Sequence, residues 1–379
     1  MKVILEAQHA VGHPQPRGVG HYALTLIQSL LKRKAFNYEL TFFDYKREVG
    51  NLERAKEYFD VYDVPLNECI ELDYRKASRD DNVWNMKSYN EWTNTNADIY
   101  HFMNIISIPT QIEGKPIATV LDLNWKAYPE GTSDFVRQLA TMGLERLQYI
   151  QPNVITISNS ARNELLEYSN IPFDKIHVSY PSYDEINLYP ESSKANDYGD
   201  YIFFVGTFER KKNVTGIIAA FNQIAEKFKG IKLVLAGKPT WDDPTEIYEA
   251  INASPFKERI ITLGYITVEQ KRNLYSNALC FVFPSICEGF GIPVLEAMAC
   301  GCPVITANNT SLPEVGGDAA AYVNARDTEQ LAFEIERVIT SVDLRQEMIS
   351  KGFLQSKKFS WDKTAMQVET IYQTVMSRE

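Results

Sequence analysis

The sequence predicts two doubly wound, parallel α/β domains of nearly equal size. Three observations carry that expectation. Short β-branched or aromatic runs alternate with longer helical stretches along the whole chain, which is the mark of strands covered by helices. Runs such as Ile202-Phe203-Phe204-Val205 are apolar on successive residues, as strands buried on both faces require. The length of 379 residues accommodates about two and a half domains at ~150 residues each.

The first half reads as strands near 2–7, 38–45, 98–103, 116–123, 154–158 and 175–180. The second half begins again at 201–206, followed by 232–237, 259–265, 279–285, 303–308 and 320–323. Between them, 188–200 is polar and unpatterned, with Pro190, Ser192, Ser193 and Gly199, and reads as the linker. Residues 46–96 are charged and aromatic, with Trp84 and Trp92, but weakly periodic. They read as an insertion, either an acceptor-recognition flap or a decorated surface. Thr267-Val-Glu-Gln270 and Ser311-Leu-Pro-Glu314 both carry capping-box spacing. In the last helix, Met366, Val368, Ile371 and Val375 form a face that must be buried. The expected domains are 1–187 and 198–358, with 359–379 packing back on the first.

Composition removes several classes. Apolar residues make up 45% and charged residues 23%, a globular balance. A net charge of −10 argues against a sequence-blind nucleic-acid binder. No apolar run reaches the ~18 residues of a membrane span, and Glu6 interrupts the N-terminus before a signal-peptide core forms. A cytoplasmic protein is expected. Leu30-Leu31-Lys32-Arg33-Lys34 reads as a helix end with favourable cations, or as a patch for weak peripheral contact with the inner face of a membrane. The five cysteines lack disulfide or zinc spacing and read as buried apolar residues. His9 and His13 are separated by Gly12 and followed by Pro14, so no helix face aligns them, and no metal site is expected.

Two stretches carry chemistry. Gly206-Thr207-Phe-Glu-Arg210-Lys211-Lys212-Asn213 follows a strand, and Asn213 can cap the next helix. Three cations beside a helix N-terminus suit an anion, unless the turn is merely solvated. Glu288-Gly289-Phe290-Gly291-Ile292-Pro293-Val-Leu-Glu296 also follows a strand, with Pro293 placed for the first helical turn and Gly301 for its end. Its carboxylates suit sugar hydroxyls; the alternative is a tight turn with incidental acids.

The Glu288/Glu296 stretch resembles the signature of the group 1 glycosyltransferases, retaining nucleotide-sugar enzymes of the GT-B fold, and among them bacterial mannosyltransferase-like members. The resemblance extends to the basic loop, to Gly264-Tyr-Ile-Thr267, to Gly18-Val-Gly20, to the Ser-bearing turn within 154–162 and to Phe359-Ser-Trp361. It implies two Rossmann-like domains facing each other across a cleft. It implies that Glu288 binds donor-sugar hydroxyls, helped by Gly289, Phe290, Gly291 and Ile292, and that Glu296 holds the ribose. Lys212, with Lys211 or Arg210, would neutralise the diphosphate, with Thr207 beside them. Gly18 and Gly20 would approach the phosphates, Tyr265 and Ile266 would flank the base, and Asp122 would serve catalysis from the first domain. The implied donor is a UDP-, GDP- or dTDP-sugar, and the acceptor a saccharide, free or lipid-linked, in cell-surface polysaccharide synthesis. No cofactor, metal or nucleic acid is implied. Where the family has His-Asp, this chain has Leu121-Asp122. That departure leaves three expectations open, a 6-deoxy donor, a hexose with a rearranged contact or an impaired enzyme, and it motivates the alternative of a catalytically silent nucleotide- or glycan-binding protein on the same fold.

Overall fold

The computed structural model describes residues 1–14, 16, 18–191, 197–239 and 243–378. They divide into two compact units: 1–127 with 134–181 and 361–379, and 128–133 with 182–360. Residues 192–196 of the expected linker lie outside the described residues.

The first unit holds a seven-stranded parallel sheet, β1 (Lys2–Glu6), β2 (Asn37–Phe43), β3 (Leu66–Cys69), β4 (Ile99–Phe102), β5 (Lys115–Val120), β6 (Asn153–Thr156) and β7 (Ile176–Val178). Their order is β3-β2-β1-β4-β5-β6-β7. The second holds β8 (Tyr201–Val205), β9 (Lys232–Ala236), β10 (Ile260–Gly264), β11 (Cys280–Phe283), β12 (Val304–Ala307) and β13 (Ala320–Val323), ordered β10-β9-β8-β11-β12-β13. All pairings are parallel. In each unit the strand order reverses beside the first strand, at β1/β4 and at β8/β11. Such switch points open a crevice at the carboxyl ends of the strands.

The expected strands are present, and one more. Residues 46–96 are not an insertion laid over the first unit. They supply the edge strand β3, which pairs with β2 from Leu40↔Leu66 to Phe43↔Cys69. They also supply part of the core, because Trp84 and Tyr89 are fully buried against Phe43. Their four- to nine-residue helices are too short for a helical period to emerge from the sequence.

The helix Trp361–Ser377 belongs to the first unit. Its buried face is Trp361, Thr364, Ala365, Val368, Glu369, Ile371, Tyr372 and Val375, whereas Met366 points outward at 46% exposure. Arg33, at the end of the helix Val19–Arg33, reaches Glu369 at 2.8 Å and Asp362 at 2.6 Å. One cation of the 30–34 patch is therefore used internally. All five cysteines are buried thiols.

Candidate active site

The site residues of the second unit gather at the β8/β11 switch point. After β8, the chain passes through a 3-10 turn at Arg210–Lys212 into the helix Val214–Ala225. Asn213 takes a left-handed conformation, φ 52°, and its Oδ1 accepts from the amide of Gly216 at 3.2 Å. The same side chain donates to the carbonyl of Ala325 at 2.5 Å, which fixes the loop to the strand end beyond β13. Close approach here demands glycine. A Cβ on Gly237, after β9, would fall 1.8 Å from the Gly206 carbonyl oxygen.

After β11, Gly291 turns the chain into the helix Ile292–Ala299 with φ 111°, and Pro293 occupies its first turn. The two loops are joined by the amide of Ile286, which donates to the carbonyl of Lys211 at 2.7 Å. Their charges then meet directly. Lys212 Nζ is 2.5 Å from Glu288 Oε1 and 5.0 Å from the centre of the Phe283 ring, and both side chains of the ion pair are largely buried. Lys211 lies 3.5 Å from Glu209, and Arg210 lies outward, 2.6 Å from Glu246. Lys212 is thus the member of the basic run that shares the turn with Glu288.

Glu296 has a second lysine. Lys271 Nζ is 2.5 Å from its Oε1, and the buried Tyr275 hydroxyl donates to its Oε2 at 3.1 Å. Both come from the helix Val268–Asn277, whose Thr267/Gln270 capping box forms as the spacing predicts. Tyr265 is exposed and Ile266 half-buried at the end of β10, next to Gly264 with φ 63°. Thr207 is half-buried after β8.

The loop after β12 holds the Glu288 turn from behind. Asn309 Nδ2 donates to Ile286 O at 2.8 Å, and Thr310 Oγ1 accepts from the Glu288 amide at 3.3 Å. Ser311 Oγ lies 3.0 Å from Glu288 O and 2.7 Å from Phe290 O. The expected Ser311/Glu314 capping box does not form, because the hydroxyl is committed to these two carbonyls. Phe290 also meets Phe359 edge-on at 5.6 Å between ring centres. Lys271, Asn309, Thr310 and Ser311 escaped the sequence reading. The only signal was the Ser-x-x-Glu spacing, and it pointed to a different role.

In the first unit, Gly18 precedes the helix Val19–Arg33 with φ 49°. Gly20 lies where a Cβ would meet the His9 carbonyl oxygen at 2.7 Å. Asp122 follows β5, and its Oδ1 accepts from the Asn124 amide at 3.1 Å, a local turn bond. Beside it, burial pushes the Glu164 carboxyl up to about 7, although the amide of Leu123 donates to it at 3.0 Å. Ser158 caps the helix Asn159–Tyr168 through the amide of Ala161. Among the described residues, no group of three or more His, Cys, Asp or Glu side chains gathers in a metal-binding arrangement.

Residues 185–355 match the family model described as glycosyl transferases group 1. The O-antigen chain mannosyltransferase B of Escherichia coli is 27% identical, over 98% of this chain and 99% of its own. The serotype-specific mannosyltransferase WbdA of Escherichia coli is 30% identical over 56% of this chain, a match spanning 27% of WbdA. Among solved structures, sucrose-phosphate synthase from Thermosynechococcus elongatus superposes with a TM-score of 0.74 at 18% identity, covering both chains completely. HepE from Anabaena, in complex with UDP-glucose, gives 0.73 at 14% identity, over 99% of this chain and 100% of its own. Two parallel-sheet units, with a cation and a carboxylate paired at the switch point of the second, accompany these likenesses. Residues 185–355 therefore resemble the group 1 glycosyltransferases, and the chain has the fold of the GT-B structures it superposes on.

Proposed function

We propose that this protein transfers a hexosyl group from a nucleoside-diphospho-sugar to a saccharide hydroxyl, with retention at the anomeric carbon, in polysaccharide synthesis. The observation that carries the reading is the Lys212–Glu288 pair at the β8/β11 crevice. Departure of a nucleoside diphosphate places negative charge on the leaving oxygen. A fixed ammonium and the nearby helix N-terminus can meet that charge without reorganisation. Glu288 supplies acceptors for donor hydroxyls, and Glu296, oriented by Lys271 and Tyr275, supplies them for the ribose. No carboxylate is assigned as a covalent nucleophile. The acceptor oxygen attacks on the face the diphosphate leaves: the C1–O bond to the phosphate breaks with its electron pair, and the departing phosphate oxygen takes the acceptor's proton.

Kinship to proteins named mannosyltransferases supports mannose as the sugar. It favours a donor that keeps its C6 hydroxyl over the 6-deoxy donor that Leu121 suggests. In this proposal the reaction is cytoplasmic and any membrane contact is peripheral. No described helix is long and apolar enough to cross a bilayer. The test is a panel of GDP-mannose, GDP-fucose, UDP-glucose and dTDP-rhamnose, with and without EDTA, offered with mannosyl acceptors. Transfer from GDP-mannose that persists in EDTA, giving an α-linked product by NMR, is the expected result. A β-linked product would overturn retention. Binding of a nucleotide with no transfer to any acceptor would favour the silent-binder reading.

A further inference from the structure

Two carboxylates hold the turn that follows β5 in the first unit. Asp122 Oδ1 accepts from the Asn124 amide at 3.1 Å. One residue earlier, the Leu123 amide donates to Glu164 Oε2 at 3.0 Å. The two acids reach the turn from different elements. Asp122 belongs to the turn itself, whereas Glu164 projects from the helix Asn159–Tyr168, which follows the neighbouring strand β6. Leu123 and Asn124 are buried between them, and Asn124 Oδ1 is a buried acceptor with no hydrogen-bond partner.

An acid half-buried beside a second acid resists ionisation. Burial is the first cause at Glu164, and the charges of Asp122 and Glu167 add to it against the Leu123 amide. The titratable groups facing Glu164 are Asp122 from the turn, and Glu167 and Tyr168 from its own helix. The Tyr168 phenol is pushed up by burial and by the same acids, so it stays neutral. Below about pH 7 Glu164 is therefore protonated, and above it ionised. The protonated acid still accepts from Leu123, and it brings an O–H to a turn that holds a spare buried acceptor. The carboxylate brings no donor and sets a second negative charge beside Asp122.

We propose that Glu164 is a positioning residue for the reaction: through its bond to the Leu123 amide it holds the 121–124 turn and so sets the place of Asp122. It acts through Asp122 and not on a substrate. The inference rests on the transferase reading, in which Asp122 serves the reaction from the first unit. The neutral form of Glu164 leaves Asp122 as the one charge within the turn. Loss of the Glu164 proton adds a like charge at close range, which pushes Asp122 away from its bond to Asn124 and lowers turnover.

The experiment measures kcat and KM of the full chain from pH 5.5 to 8.5, with GDP-mannose and a mannosyl acceptor, for the parent, Glu164→Gln and Glu164→Ala. The parent's kcat should descend as pH rises, reaching half its low-pH value near about pH 7. Glu164→Gln keeps an acceptor for the Leu123 amide and cannot ionise. It should match the parent at pH 6 and show no descending limb. Glu164→Ala should lower kcat roughly five- to tenfold at every pH, the size of one neutral hydrogen bond, with the donor KM unchanged. A limb that persists in Glu164→Gln, or a Glu164→Ala that turns over like the parent, overturns the inference and leaves the transferase reading standing. If Glu164→Ala does not fold, the glutamine profile decides alone. A parent that transfers from no donor at any pH removes the transferase reading, and this inference with it.

Discussion

His101 Nδ1 lies 2.6 Å from the hydroxyl of Tyr372, joining β4 to a helix 271 residues further along the chain. The other ring nitrogen is 2.8 Å from Thr119 Oγ1, and the imidazole is completely buried. Removing the phenol strands one ring nitrogen in the sheet. Tyr372→Phe should therefore cost about 1–3 kcal/mol of stability, measured by denaturant unfolding with the slope unchanged.

The same histidine sets an acid limit. Burial lowers His101 to about 3, so the folded form stays neutral while the unfolded chain takes up a proton below pH 6.5. Its contribution is present above that pH and is lost as pH falls toward 3. Glu164 runs the other way: raised to about 7, it contributes fully below its unfolded value of 4.5 and loses that contribution as pH rises through 7. Glu164→Gln should therefore gain in melting temperature relative to the parent between pH 5 and 8. A constant difference across that range would contradict the burial of this carboxyl.

Lys212→Ala should lower turnover by about two to three orders of magnitude, the scale for losing one fixed group at a developing negative charge. It also leaves Glu288 unpaired in a largely buried turn, so stability falls as well. The double variant Lys212→Ala/Glu288→Gln separates the two effects. It should recover melting temperature and recover no activity.

Ser311→Ala leaves the carbonyls of Glu288 and Phe290 without their shared donor. A loss of about 1–2 kcal/mol is expected in unfolding, together with weaker nucleotide-sugar binding by calorimetry. Lost stability with unchanged donor affinity would show that the Glu288 turn keeps its shape without this hydroxyl.

Lys271→Met should weaken GDP and UDP binding while leaving inorganic pyrophosphate binding unchanged, because the lysine orients Glu296 and not the phosphate loop. The 2′-deoxy nucleotides should lose less than the ribonucleotides, since they forgo part of what Glu296 offers.

Strands buried on both faces are long apolar runs, so both sheets were readable, β3 excepted. Leu66-Asn-Glu-Cys69 is a half-polar edge strand among short helices, and nothing in its pattern separates it from loop. Lys212, Glu288 and Glu296 were readable because they sit in glycine-bounded turns directly after strands. Lys271 and Ser311 were not, because their roles arise where separate loops meet in space.

The helix Trp361–Ser377 completes the first unit only after 182–360 has been made. At ~5–20 residues per second, a ribosome takes roughly 10–35 s to cross that stretch. Through that interval His101, Thr119 and Arg33 wait without Tyr372 and Glu369. The unit synthesised first is the one finished last, and a chain stalled before Trp361 presents an uncovered sheet face to chaperones and proteases.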